Sequence, residues 1–274
     1  MEIAEQNVTV ESDQYIQEAV SIEDMMAHNM HYGHKLEFQS REMRKYVLPD
    51  LCKEKNCFGV INLAMTKASL LLAMKYLRET VKRGQKVLFV GTDPRFSSIV
   101  KNAAIACEQH FIAKRWIGGL LTNWRTVMSS LQTMRHLKEI LDNSSDSMYT
   151  KKELLLMQRQ YDKLHGMFEG IENLDKLPNM LVITSCHEKT ALHEAKLTGI
   201  PYILFADTDS CDTGGKCIVP MNDDASMSIK RGLDYCVQAC VLGVQDELNK
   251  FEELQRNKQS IQQKKKYVIQ GWKK

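Results

Sequence analysis

Residues 179–207, NMLVITSCHEKTALHEAKLTGIPYILFAD, decide the fold of this chain. Two apolar segments of strand length, 179–185 and 201–207, flank a helical segment at 188–199 that Gly199 ends. Each apolar run is continuous rather than alternating, which is the pattern of a strand whose two faces are both covered. A strand, a helix and a second strand joined by short loops predict a parallel βαβ unit.

The same alternation of strands and helices extends to both sides of this unit. It predicts further strands at 57–63, 86–91, 110–114 and 216–221. It predicts helices at 66–84, from Pro94 to Gln109, and from near Asp223 past Val244. An N-terminal helix should begin after Ser21, which has capping-box spacing to Asp24, and should end near Gly33. The predicted fold class is α/β, with a parallel sheet covered by helices on both faces.

A different pattern interrupts the sheet in its middle. Apolar residues there step by three and four along two segments, which is the spacing of a coiled-coil seam. They are Val127, Leu131, Met134, Leu137 and Leu141 in the first segment, and Leu154, Met157, Tyr161, Leu164 and Phe168 in the second. A polar turn separates the segments, and Thr150 with Glu153 forms a capping box. The pattern predicts an inserted antiparallel coiled-coil helical hairpin that projects and contacts a partner.

Charge is distributed unevenly along the 274 residues, whose formal net charge is +3. Residues 1–34 sum to −7, residues 35–140 to +11, residues 141–248 to −7 and residues 249–274 to +6. Two basic blocks between acidic ones predict one face that meets a polyanion, and an unevenly charged solvated surface is the alternative.

Charge and periodicity together predict four regions. These are an acidic N-terminal extension at 1–20, an α/β core at 21–125 and 171–245, the inserted hairpin at 126–170 and a basic C-terminal tail at 246–274. The tail is expected to be a helix end that runs into a disordered arm.

Several classes of protein are excluded by what the sequence lacks. It has no run of about 18 apolar residues that could cross a membrane, and its acidic start lacks the apolar core of a secretory signal. Eight cysteines without a C-x-x-C pair indicate reduced thiols in a reducing compartment. Neither the dinucleotide-binding nor the triphosphate-binding glycine pattern occurs.

Two clusters could hold a metal. Asp207, Asp209 and Asp223 follow predicted strands, and clustered carboxylates suit Mg²⁺. They support an alternative function, a magnesium-dependent phosphoryl-transfer enzyme, although Asp223 could equally be a helix cap. Three histidines spaced by three could bind Zn²⁺, or could simply form a polar helix end: His28, His31 and His34.

The segment KRWIGGLLTNW at 114–124 carries the clearest functional signal. It lies in a stretch without acids between Glu108 and Glu139 that holds Lys114, Arg115, Arg125, Arg135 and Lys138. Arginine forks suit phosphate, and a glycine pair allows a backbone to turn tightly or a partner to approach closely. The two tryptophans could instead anchor the base of the hairpin. The segment predicts a surface that binds the phosphates of a nucleic acid.

Six motifs, taken together, resemble a known family. They are HYGH (31–34), VLFVGT (87–92), RWIGGLLTNW (115–124), LPNMLVI (177–183), GIPYILFADTDS (199–210) and VPMNDDASMSI (219–229). In order and spacing this chain is similar, over about 21–243, to the second protein of the small ribosomal subunit. The resemblance implies a parallel α/β sandwich with a coiled-coil hairpin and no enzymatic activity. It also implies binding to small-subunit rRNA and to neighbouring ribosomal proteins, without a small-molecule substrate or a membrane.

The resemblance and the basic block together predict the RNA-binding residues. They are Lys35, Arg41, Arg44, Lys45, Lys114, Arg115, Trp116, Gly118, Gly119, Thr122, Asn123 and Arg125. No cofactor is expected, apart from a structural Mg²⁺ that the acids could hold.

The chain also departs from the family pattern. The stretch EFQSREMRKYV lacks the tryptophan and proline usual after the histidine motif, and SCDTGGKCIVP has cysteines and glycines where a D-P segment is usual. These departures and the eight cysteines predict an organellar member in the mitochondrial matrix, with the plastid stroma and the bacterial cytoplasm as alternatives.

Overall fold

A five-stranded parallel sheet forms the centre of the molecule, as the sequence predicts. The computed structural model describes residues 20–48, 57–143, 149–211 and 214–271, with residues 253–271 described by their backbone alone. The strands are β3 (Val87–Val90), β4 (His110–Ile112), β5 (Met180–Ile183), β6 (Tyr202–Ala206) and β7 (Cys217–Pro220). Their order across the sheet is β4-β3-β5-β6-β7, and every neighbouring pair is parallel.

Helices cover both faces of this sheet. In chain order they are α1 (Ile22–Ala27), α2 (Leu63–Lys82), α3 (Ser97–Ala106), α4 (Trp124–Asp142), α5 (Lys151–Phe168), α6 (Lys189–Thr198) and α7 (Ser226–Gly271). Because successive side chains of a strand point to opposite faces, each strand contributes side chains to the hydrophobic clusters on both faces of the sheet. Val87 and Phe89 pack on the first face with residues of α1, α2, α3 and α7. Leu88 and Val90 pack on the second face with residues of α4, α5 and α6.

The predicted strand at 57–63 is wrong in its location. It forms β2 (Phe58–Val60), which pairs antiparallel with β1 (Tyr32–Lys35) in a separate two-stranded sheet. The predicted end of the N-terminal helix near Gly33 is also wrong, because Gly33 lies within β1. The helix ends at Ala27, since Asn29 takes a left-handed conformation at φ 58°. Its predicted start is confirmed, because Ser21 accepts a hydrogen bond from Asp24 N.

The helix predicted from Pro94 to Gln109 is shorter at both ends. The backbone N–H of Arg95 donates to Asp93 Oδ1 at 2.8 Å, so Pro94 lies in a turn before α3 begins at Ser97. At the other end Glu108 has φ 54°, a left-handed conformation that does not continue a helix.

The inserted hairpin consists of α4 and α5, which pack against each other. The capping box of Thr150 and Glu153 is confirmed at the start of α5. The apolar stripe of α4 is buried at Val127, Leu131, Met134 and Leu137, whereas only Phe168 of α5 is buried. All of these except Leu137 share a hydrophobic cluster with the second face of the sheet, so the base of the hairpin belongs to the core.

The C-terminal region differs from the predicted helix end with a disordered arm. Helix α7 runs unbroken from Ser226 to Gly271 and crosses the predicted boundary at 245–246. Residues 246–270 contain neither proline nor glycine and are rich in lysine, glutamine and glutamate, which favour a helix. Within the described ranges no helix combines the length and apolarity that crossing a bilayer requires.

Candidate nucleic-acid interface

Residues 114–123, here called the diglycine loop, leave the edge strand β4 at its carboxyl end and lead into α4. Most of its predicted contact residues are exposed: Lys114, Arg115, Gly118, Thr122 and Asn123, together with Arg125 in the first turn of α4. Gly119 has φ 84°, a left-handed conformation that a side chain would strain. A Cβ at Gly118 would meet nothing within 4 Å, so this corner of the loop is open to a partner.

A buried carboxylate fixes the shape of the loop. Glu194 of α6 is only 5% exposed. Its Oε1 accepts hydrogen bonds from Trp116 Nε1 at 3.1 Å and from the backbone N–H of Gly119 at 2.8 Å. Its Oε2 accepts from the backbone N–H of Leu121 at 2.9 Å and from the backbone N–H and hydroxyl of Thr122 at 3.3 and 3.4 Å. Five donors of one loop therefore converge on one side chain.

These donors also keep Glu194 ionised. Burial acts to raise the pKa of its carboxyl, but the hydrogen bonds from the loop outweigh burial and hold that pKa below its usual range. Glu194 is absent from the residues predicted from sequence. One feature of the sequence could have indicated it: Glu194 lies on the apolar face of its helix, where its neighbours Ala191, Leu192 and Ala195 are also buried.

Trp116 is placed differently from the prediction that it contacts RNA. It is 8% exposed and packs in the cluster on the second face of the sheet. Because its indole N–H is bonded to Glu194, the side chain anchors the loop from inside. The structure thus supports the alternative interpretation of this tryptophan as an anchor.

The cations of the stretch without acids are not equivalent. Lys114 Nζ lies 3.3 Å from Glu169 Oε2. Arg135 lies 3.0 Å from Asp175, and Lys138 lies 2.8 Å from Glu172. Acids that follow α5 thus approach three of the five cations. Within the described residues, Arg115 and Arg125 are exposed and have no ion pair.

The N-terminal cations of the predicted site are exposed as well: Lys35, Arg41, Arg44 and Lys45. The Nζ of Lys45 lies 4.8 Å from the ring centroid of Tyr46. Met43, between these cations, is buried in the same cluster as Trp116 and Leu120. This segment therefore packs on the same face of the sheet as the diglycine loop.

Three of the quoted motifs meet at the carboxyl edge of the sheet. His34 Nδ1 lies 3.3 Å from Asp207 Oδ2, and His34 Nε2 lies 3.2 Å from Asp224 Oδ2. The backbone N–H of His34 donates to Thr208 Oγ1 at 2.8 Å. Burial acts to lower the pKa of His34, but the carboxylates of Asp207 and Asp209 outweigh it and the pKa rises. These acids thus hold the N-terminal segment against the sheet.

The structure shows where the residues of the two predicted metal-binding sets lie. Asp223 Oδ2 accepts a hydrogen bond from Ser185 Oγ at 2.7 Å. Burial raises the pKa of Asp223 to about 7, although the hydrogen bond from Ser185 acts to lower it. The predicted histidine set does not converge: His28 Nδ1 contacts Asp24 O at 2.7 Å, while His34 faces the acids. Among the described residues, the ligand atoms that lie within 4.8 Å of one another are those of Cys186, His187 and Asp223.

Comparison with known proteins agrees with this architecture. A model of the family described as "Ribosomal protein S2" matches residues 25–243. A "Small ribosomal subunit protein uS2" from Pseudoalteromonas atlantica is 34% identical over 241 residues, which cover 85% of this chain and 98% of that protein. Proteins of the same name from Rhodopseudomonas palustris and Wigglesworthia glossinidia brevipalpis are also similar. The first is 36% identical over 225 residues, covering 82% of this chain and 67% of the relative. The second is 38% identical over 214 residues, covering 77% and 86%. This chain therefore belongs to the ribosomal protein S2 family.

Proposed function

We propose that this protein is a structural component of the small ribosomal subunit that binds small-subunit rRNA and neighbouring ribosomal proteins. Its family is a structural one rather than a family of enzymes, and the relatives compared above are named as small-subunit proteins. The observation that carries the RNA-binding part is the preordered diglycine loop, which presents Arg115 to solvent beside the open corner at Gly118, with Arg125 exposed in the adjoining first turn of α4.

The chemistry of this surface suits a sugar-phosphate backbone. A guanidinium donates two parallel hydrogen bonds to a phosphate, and a prearranged loop loses little freedom on binding. Thr122 and Asn123 are exposed between the two arginines. The Asn123 amide can donate to phosphate or ribose, whereas the Thr122 hydroxyl already donates to Glu194 and offers an oxygen acceptor. Each phosphate that an arginine neutralises releases counterions, so binding should weaken steeply with salt.

The dependence of RNA affinity on salt tests this assignment. We expect the double variant Arg115→Ala/Arg125→Ala to bind transcribed small-subunit rRNA more weakly than the parent protein does. The slope of log K against log salt should fall by about 1.4–1.8, because each lost phosphate contact removes about 0.7–0.9. Lys75→Ala is the matched control, since Lys75 is exposed on α2 at the first face of the sheet. An unchanged affinity and slope in the double variant would contradict the role of the loop.

Association with the particle is tested separately on a sucrose gradient. The protein should sediment with the small subunit, and the double arginine variant should shift toward the top of the gradient. Sedimentation of the parent protein away from ribosomal particles would contradict the proposed function as a whole.

We propose that the outer surface of the hairpin contacts a neighbouring ribosomal protein and that its two helices form a coiled coil. Leu155 and Leu156 of α5 and Tyr149 before it are exposed apolar residues, which a protein partner would cover. Replacing the two leucines by glutamine should reduce copurification of neighbouring subunit proteins while rRNA affinity stays constant. Equal loss of rRNA affinity would argue against a protein-binding role.

We further propose the mitochondrial matrix as the location, with the plastid stroma and the bacterial cytoplasm as alternatives. The departures at 36–45 and 210–217 and the eight cysteines support this choice. A structural Mg²⁺ at Asp207, Asp209 and Asp223 also stays a prediction. Immunoblotting of purified organelles tests the location, because recovery only outside mitochondria would contradict it.

A further inference from the structure

A cleft of about 360 Å³ opens beside the diglycine loop. It lies between α3, strand β4 and the C-terminal end of α5, and the first residues of the loop form part of its wall. Its volume is within the ~300–1,000 Å³ range of sites that hold small organic molecules. Arg115 belongs to both the cleft and the diglycine loop, so the two surfaces adjoin.

The wall of the cleft is positively charged. Lys101, Lys114 and Arg115 line it, and Glu169 is the one acid among the lining residues. Glu169 contacts Lys101 and lies 3.3 Å from Lys114 Nζ, so it holds the two ammonium groups on either side of one carboxylate. The Lys101 hydrogen bond, with help from Lys114, keeps the pKa of Glu169 below its usual range against the effect of burial. The lining thus keeps a net charge of +2 at neutral pH.

An aromatic ring forms another part of the wall. Phe111 of β4 is half-buried and lines the cleft, and Lys101 Nζ lies 5.9 Å from its ring centroid. Gly170 packs so closely that an added Cβ would lie 2.6 Å from the Phe111 ring. The ring therefore packs directly against the backbone at Gly170. Gly166 also lines the cleft, and an added Cβ there would meet nothing within 4 Å, so the cleft is open at this position.

We propose that an unpaired nucleotide of the bound RNA inserts into this cleft, with its base against Phe111 and its phosphate between Lys101 and Arg115. Proteins recognise unstacked RNA bases by aromatic stacking combined with cationic contacts to the backbone. Arg115 lines the cleft and belongs to the diglycine loop, so one RNA strand can contact both. This inference rests on the proposed RNA-binding function and adds the recognition of a base.

Two single-stranded RNA probes separate base recognition from charge. One is a fluorescent 12-nucleotide oligouridylate, and the other has the same backbone with abasic ribose at every position. The intact protein should bind the first probe roughly 5- to 150-fold more tightly, which is the range that stacking of one base confers. Phe111→Leu should bring the two affinities close together, whereas Lys101→Met should weaken binding of both probes.

Controls keep the result interpretable. Phe251→Leu alters an exposed phenylalanine of α7 and should leave the preference for bases intact. Because Phe111→Leu could disturb packing, Gly166→Leu serves as a second variant that fills the cleft and leaves the ring in place. It should also abolish the preference, and thermal melting establishes that each variant is folded.

Three outcomes would overturn the inference. The first is equal binding of the two probes by the intact protein, and the second is an unchanged preference for bases in both cleft variants. The third is an acidic decapeptide that binds as tightly as oligouridylate and whose affinity does not change in Phe111→Leu. If Arg115→Ala/Arg125→Ala still weakens rRNA binding in those cases, the cleft assignment fails and the proposed function stands. If the arginine variant also binds rRNA normally, the proposed function fails with it.

Discussion

Replacing Glu194 by glutamine should destabilise the protein although the two side chains have nearly the same shape. The carboxylate accepts from Trp116 Nε1 and Gly119 N at one oxygen, and from Leu121 N and both donors of Thr122 at the other. Glutamine keeps one acceptor oxygen and places an amide NH₂ where the second oxygen was. In either orientation of the amide, at least two N–H donors of the loop lose their acceptor.

The size of the effect follows from those orphaned donors. Each buried donor left without an acceptor costs about 1–3 kcal/mol, so the free energy of unfolding should fall by about 2–6 kcal/mol. This is a large part of the ~5–15 kcal/mol that stabilises an ordinary domain. Thr122→Val is expected to cost less, because it removes only the longest of the five hydrogen bonds, at 3.4 Å.

Urea unfolding followed by tryptophan fluorescence measures this loss, since Trp116 lies within the loop and Trp124 directly follows it. Glu139→Gln is the control. Glu139 is exposed on α4, and the change there should stay within ~0.5 kcal/mol. A loss below about 1 kcal/mol for Glu194→Gln would show that the carboxylate does not hold the loop.

Glu194 should also make the stability of the folded protein depend on pH. The hydrogen bonds from the loop outweigh burial and hold the pKa of Glu194 in the folded protein below its ordinary value of 4.5. Its stabilisation is therefore complete above pH 4.5 and disappears as pH falls through the lower folded pKa. Glu194→Gln should flatten that part of the acid unfolding curve, and Glu139→Gln should leave it unchanged.

Three further predictions concern how the segments of the chain are joined. Gly33→Ala would place a Cβ 2.5 Å from Thr208 Cγ2 and should cost about 1–3 kcal/mol in urea unfolding. Thr208→Ser should recover part of this loss, and full stability of Gly33→Ala alone would contradict the close packing. Asp24 accepts from Arg231 Nε at 2.5 Å, so a double-mutant cycle with alanine should give a coupling of about 0.5–3 kcal/mol; no coupling would contradict that contact. Deletion of 126–170 should unfold the domain, because the base of the hairpin lies in the core; a cooperative, parent-like thermal transition of the deletion variant would contradict this.

The fold was largely predictable because the central strands carry their own signal. Runs such as Val87–Val90 and Met180–Ile183 are apolar at every position, and each lies buried on both faces of the sheet. The run at 57–63 gave the same signal, but only Phe58–Val60 forms a strand and Phe58 itself is exposed. A short apolar segment does not specify its pairing partner, since pairing with Tyr32–Lys35 depends on packing between distant parts of the chain.

The candidate site was predictable in position but not in organisation. The glycine pair and the surrounding cations marked the diglycine loop, whereas Glu194 lies 75 residues beyond Gly119. Such a partner reaches the loop only because α6 packs on the same face of the sheet as Trp116. Sequence spacing gives no information about this contact. Trp116 was therefore grouped with the predicted RNA-contact residues, whereas its burial and its bond to Glu194 favour an anchoring role.

Local charge along the sequence also overstated the surface that is free to bind RNA. The stretch without acids contains five cations. Three of them form ion pairs with acids that follow α5 in the sequence, namely Glu169, Glu172 and Asp175. Among the described residues, the two cations of this stretch that have no ion pair are Arg115 and Arg125. Since a paired cation must exchange a carboxylate for a phosphate, it gains less from RNA than an unpaired one. The two arginines should therefore dominate the salt dependence, and Lys138→Ala should change it less than either arginine does.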